Sequence, residues 1–148
     1  MQRSMMSVVF MTAFLFTSLK LSAQNDNSST VPFRCFQTLE RPVGDNHSVA
    51  DNEWKSSNFM VTTDFVIKKI HIYTEKEKIY DLVDEKPPVM ENDKTGYPFS
   101  GRDQDGNSVV VYMYMYRDQK RADKAVAMLV IADFKGGKST SMRLKKED

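Results

Sequence analysis

One cysteine, two histidines, one tryptophan and a formal net charge of +1 are the scarcities of this 148-residue chain, and each closes off a class of chemistry. Cys35 has no second thiol to pair with, so no internal disulfide staples the fold and its stability must come from burial. A lone cysteine is either a small buried hydrophobe or pairs with another chain. Together Cys35, His47 and His71 are three residues, which leaves a zinc site short of its usual imidazole and thiolate ligands. A charge near zero gives no electrostatic case for nucleic acid, which selects a basic surface. A composition of 41% hydrophobic and 28% charged residues excludes collagen-like, coiled-coil and wholly disordered chains, and the length suits one domain.

Residues 1–23 read as an export leader. Met1 to Ser7 carries Arg3 as its only charge, and Val8 to Leu19 is an uncharged, largely apolar run. Leu21-Ser22-Ala23 then ends on a small residue before Gln24. A basic start, a short apolar centre and a small residue at the cut describe a secretory signal peptide. The run is too short for a helix crossing ~30 Å of hydrocarbon. Leu-Ser-Ala-Gln resembles the leaders of exported proteins from Gram-negative bacteria. Arg3 and Lys20 lie in the leader and no acid does, so the 125 residues that remain carry 19 bases against 20 acids, a net charge of −1. The expected location is secreted or periplasmic.

Beyond the leader, 24–30 is small and polar and reads as a disordered tether, and 31–148 as the domain. In 31–39, Val31, Phe33, Cys35 and Leu39 alternate with polar residues, and 41–52 reads as loop. Trp54 is expected to anchor the core. The run 59–63 is rich in β-formers and Asp64 punctuates it. In 65–84, Ile70 and Ile72 share one face and Lys69, His71 and Tyr73 the other, with a charged turn at Glu75 to Lys78, so the segment reads as a hairpin. Pro87-Pro88 cannot continue a central strand. Strands are expected at 97–102, at Ser108 to Tyr116, at 125–134 and at 139–144, joined by local turns. The fold class that follows is all-β: one small antiparallel β-barrel or β-sandwich of about seven to eight strands.

Several motifs imitate function. Gly136-Gly137-Lys138-Ser139-Thr140 resembles the end of a phosphate loop, but the earlier glycine that the loop needs is Ala132 and no room remains for the helix it must open. A hairpin turn explains it better. Asp103, Asp105 and Asn107 alternate like calcium ligands, yet Ser108 and Tyr114 occupy the places of the loop glycine and final glutamate. The carboxylate pairs Asp81/Asp84 and Asp103/Asp105 fall in turns or strand ends, where acids are solvated, rather than in a cleft. Nothing in the sequence brings Cys35 together with His47 or His71 for nucleophilic catalysis. Asn27-Ser28-Ser29 and Asn46-His47-Ser48 match the glycosylation acceptor, which a bacterial export route leaves without consequence.

The informative pattern is Tyr112, Tyr114 and Tyr116, which point one way while Val109, Val111, Met113 and Met115 point the other. Tyrosine joins a flat apolar ring to a polar end and suits sugars, peptides and protein partners; tyrosines packed across neighbouring strands would look the same. Tyr73 and His71 extend the patch if their strand lies adjacent. The plan is similar to that of lipocalin-like and other small secreted β-domains. That resemblance is one of architecture; the leader and the failed motifs lead to the expectation of an exported, non-enzymatic binding or accessory domain, with no catalytic residue, metal or cofactor. Its partner would be a small molecule, glycan or protein, with no nucleic acid and no membrane span. Recognition is expected through the tyrosine face (Tyr112, Tyr114, Tyr116, Tyr73, His71) or the barrel interior. The alternative is a secreted inhibitor or assembly protein acting through the charged loops 84–94 and 117–124. A hollow interior lined by Met113, Met115 and Met128 favours a carrier, and a filled core with a projecting loop favours the inhibitor.

Overall fold

The computed structural model describes residues 29–45, 47–118 and 120–147. The expected leader, most of the tether and the acceptor asparagines Asn27 and Asn46 lie outside the described residues. Within them run nine strands: β1 (Val31–Pro42), β2 (Lys55–Asp64), β3 (Lys69–Tyr73), β4 (Lys78–Glu85), β5 (Val89–Met90), β6 (Lys94–Arg102), β7 (Ser108–Tyr116), β8 (Ala127–Asp133) and β9 (Lys138–Lys146). One short 3-10 turn, Asp51–Glu53, is the sole helical element among the described residues.

All pairings are antiparallel and mostly between neighbours in sequence. Two longer-range ladders complete the circle. β1 pairs with β9, and β4 pairs with β6 from Asp81↔Arg102 to Glu85↔Phe99. Eight strands therefore close on themselves, and closure leaves no open sheet edge to be covered. β5 is the extra strand, resuming the β4 side of β6 at Val89↔Gly96. Between them stand Pro87-Pro88, as their missing N–H groups require. Pro98 of β6 lies opposite this interruption: its carbonyl accepts from Lys86 N–H at 2.9 Å, and the donor it lacks would have pointed to the same gap.

The hairpins follow the turn chemistry. Asp64 ends β2 by accepting the N–H groups of Val66 (3.0 Å) and Ile67 (3.1 Å). Its carboxylate also takes the hydroxyls of Ser29 and Thr30, so the last two residues of the expected tether are tied to the barrel. Gly106 and Gly137 adopt φ of +81° and +69° in the β6–β7 and β8–β9 turns, conformations that glycine alone enters freely. The Gly136-Gly137-Lys138 motif is thus a hairpin turn opening a strand.

Inward side chains alternate with outward ones along each strand. Phe33, Val61, Ile70, Met113, Leu129 and Leu144 are fully or almost fully buried and fill the half of the barrel nearest the β2–β3 turn. Phe65 and Phe99 pack there with ring centroids 5.5 Å apart. Two sequence expectations are corrected. The register of β1 shifts between Cys35 and Gln37, and such a bulge reverses the faces beyond it. Thr38 now opposes buried Met142 while Leu39 opposes Ser141, so Leu39 is buried on the outer side and not in line with Val31, Phe33 and Cys35. Trp54 also lies outside the core: the Arg143 guanidinium sits 4.0 Å from its ring centroid, and Arg143 alternates with the inward Met142 and Leu144.

Candidate functional site: the open end of the barrel

At the end opposite the packed half, the barrel holds a cavity of about 470 Å3. Its polarity changes with depth. On β3 and just past its end the inward sequence is Ile72 then Thr74, on β8 Ile131 then Asp133, and on β9 Met142, Thr140 then Lys138 toward the opening. Ile72, Ile131 and Met142 are buried and form an apolar floor, with Phe59 on the wall. Thr38, Glu40, Lys78 and Tyr80 add to the polar rim. The cavity exists because side-chain volume is unevenly shared: phenylalanine, leucine and methionine fill one half, whereas threonines and charged residues that reach for water occupy the inward positions of the other.

The rim is electrically balanced. Lys138 Nζ lies 3.4 Å from Glu40 Oε2, and Asp133 accepts the Gly136 N–H at 3.1 Å. The Tyr80 phenol is pushed above its ordinary range by burial, reinforced by the negative charges of Asp103 and Asp133. It therefore stays protonated at neutral pH and keeps an O–H to donate into the cavity. Such a site can hold one small molecule with an apolar body and a polar end, since eight-stranded barrels are just wide enough for side chains or one ligand.

No family model, curated protein or solved structure matches this chain.

The tyrosines divide. Tyr112 and Tyr114 are half-buried on the outer face, their rings nearly parallel at 11° with centroids 5.9 Å apart. Tyr116 is only 6% exposed, its ring covered by the Arg121 guanidinium at 3.9 Å, and it takes no part in an open face. His71 and Tyr73 stack on each other at 3.8 Å, but two strands, β4 and β6, separate β3 from β7. They do not extend the patch. Met113 and Met115 are buried in the interior, whereas Met128 faces out between Tyr114 and Arg143. The methionine lining the cavity is Met142.

The two charged loops bind each other. Arg117 donates to the carbonyls of Asn92 (2.7 Å) and Lys94 (3.0 Å), its N–H donates to Asp93 O, and Arg121 lies 3.5 Å from Asp93. Asp103 accepts from Asp105 N–H, Asn107 N–H and Asn107 Nδ2, so its carboxylate serves the turn. Among the described residues no three His, Cys, Asp or Glu side chains gather in a set able to hold a metal ion. No helix of these residues is long and apolar enough to cross a membrane. Cys35 is wholly buried, its thiol donates to Gln37 O at 3.3 Å, and burial pushes that thiol up to about 12.

Sequence reasoning missed the rim residues Thr38, Glu40, Thr74, Lys138 and Thr140. For Thr74, Lys138 and Thr140 the signal was present as a same-face change from aliphatic to polar toward one end of the hairpin strand; for Thr38 and Glu40 the β1 bulge hid it. It acquires meaning only when the strands are arranged so that those ends coincide.

Proposed function

We propose that this chain is an exported, non-enzymatic binding protein that carries a small amphipathic molecule in the open end of its barrel. The observation that carries the reading is the cavity of about 470 Å3 with an apolar floor and a charge-balanced polar rim. Its volume lies within the roughly 300–1,000 Å3 of ordinary ligand pockets. The polar end of the ligand would meet Tyr80, Thr74 and the Glu40–Lys138 pair, and its apolar body Ile72, Ile131 and Met142. Resemblance to lipocalin-like carriers is one of general plan, and the reading rests on the cavity rather than on that plan. The inhibitor alternative has less support, because loops 84–94 and 117–124 direct much of their charge toward each other.

The test is native mass spectrometry of the protein recovered from its own host, before and after denaturation. A non-covalent adduct of small-molecule mass is expected, absent from a Thr140→Trp variant that fills the cavity. A bare protein mass in repeated native preparations overturns the carrier reading.

A further inference from the structure

The outer wall holds a second concavity that the barrel cavity does not explain. A groove of about 390 Å3 runs over β7, β8 and β9, floored by Tyr112 and Tyr114 with Met128 and Val130 beside them. Arg41 and Asp45 stand among its lining residues from the β1 end, and Glu91 and Lys94 from the β5–β6 hairpin. These groups already have partners. Arg41 donates to the carbonyls of Asp45 and His47, Asp45 accepts from His47, and Lys94 lies 3.0 Å from Glu91. The hydroxyls are not matched: among the described residues, no hydrogen bond engages those of Tyr112, Tyr114, Ser139 or Ser141, all four of which line the groove.

We infer that this groove is a binding site for a neutral oligosaccharide. A sugar ring offers a C–H face that packs on a tyrosine ring and a rim of hydroxyls that both donate and accept. Uncommitted tyrosine and serine hydroxyls beside paired aromatic rings are its chemical counterpart. One positive and one negative side chain line each end, Arg41 with Asp45 and Lys94 with Glu91, so these four carry no net charge to select an anionic or cationic ligand. An apolar peptide would leave the four hydroxyls unanswered, a penalty when they are covered.

The inference is independent of the barrel cavity, and its test keeps the two apart. Isothermal titration of the intact protein with maltohexaose, laminarihexaose, xylohexaose and chitohexaose should give binding to at least one, with a Kd of about 1 mM or tighter. Tyr112→Ala should weaken it at least about tenfold, and the Ser139→Ala/Ser141→Ala pair, which leaves the aromatic floor intact, should weaken it measurably even if Tyr112→Ala fails to fold. Thr140→Trp, which fills the barrel cavity, should leave it unchanged. The proposal is overturned if none of the four sugars binds, if a folded Tyr112→Ala variant binds as well as the parent, or if Thr140→Trp abolishes binding.

Discussion

Tyr114 lies directly against Gly96, its cross-strand partner: a Cβ at position 96 would sit 2.8 Å from Tyr114 Cε1. The absence of a side chain on β6 is what lets the ring settle toward the wall and keep its spacing from Tyr112. Gly96→Ala should push the half-exposed ring outward and lower stability by about 1 kcal/mol, the steric penalty being partly offset by alanine's better strand propensity. A crystal structure or tyrosine chemical shifts should record the displaced ring. An unmoved Tyr114 would show the contact to be incidental.

Gly101 makes a different close approach. Its Cβ would meet the backbone oxygen of Asp81 at 2.7 Å, across the β4–β6 ladder that closes the barrel. Backbone cannot swing aside as a ring can. Gly101→Ala should therefore destabilise more than Gly96→Ala, by about 2–3 kcal/mol, in parallel urea denaturation curves. Equal midpoints for the two variants would contradict this.

Asp64 provides a pH handle. Burial raises its carboxyl, but hydrogen bonds from Ser29, Ile67, Val66 and Thr30 together outweigh that and hold it below the ordinary value of 3.8. A depressed folded pKa contributes stability that is fully present above the unfolded value and is lost as pH falls through the folded one. The melting temperature should thus drop more steeply below pH 4 in the parent than in Asp64→Asn. Identical acid limbs would remove Asp64 from the account.

Cys35 should be inert while the barrel is closed. A thiol held at about 12 remains protonated at pH 8, and the thiolate is the reactive species. Intact mass after iodoacetamide at pH 8 should show no adduct on native protein and one on protein unfolded in urea. Prompt native alkylation would mean that the β1 bulge opens readily. Because the folded pKa is raised, the protein should also lose stability as pH climbs from the unfolded thiol's range toward 12.

Much of the fold was legible because its information is local. Period-two alternation gave Ser108–Tyr116 as a strand with an aliphatic face and a tyrosine face, and Pro87-Pro88 marked the break between β4 and β5. Asp64 was legible as punctuation and Gly136-Gly137 as a turn. The same reasoning failed where one residue changed the register: nothing in Val31 to Leu39 announces the bulge that turns Leu39 outward. Tyr116 was grouped with Tyr112 and Tyr114 by spacing alone, while its burial depends on Arg121, which reaches it from the following loop.

The sequence by itself determined an all-β chain of local hairpins, two unlike faces on β7, and the lack of any internal disulfide. Only the tertiary structure decided that the sheet closes into a barrel, because closure rests on β1–β9 and β4–β6 pairing between residues far apart in the chain. It also decided that one end is packed and the other hollow. Each strand's inward residues carry only their own sizes and polarities, and whether those fill a space depends on the seven other strands that surround it.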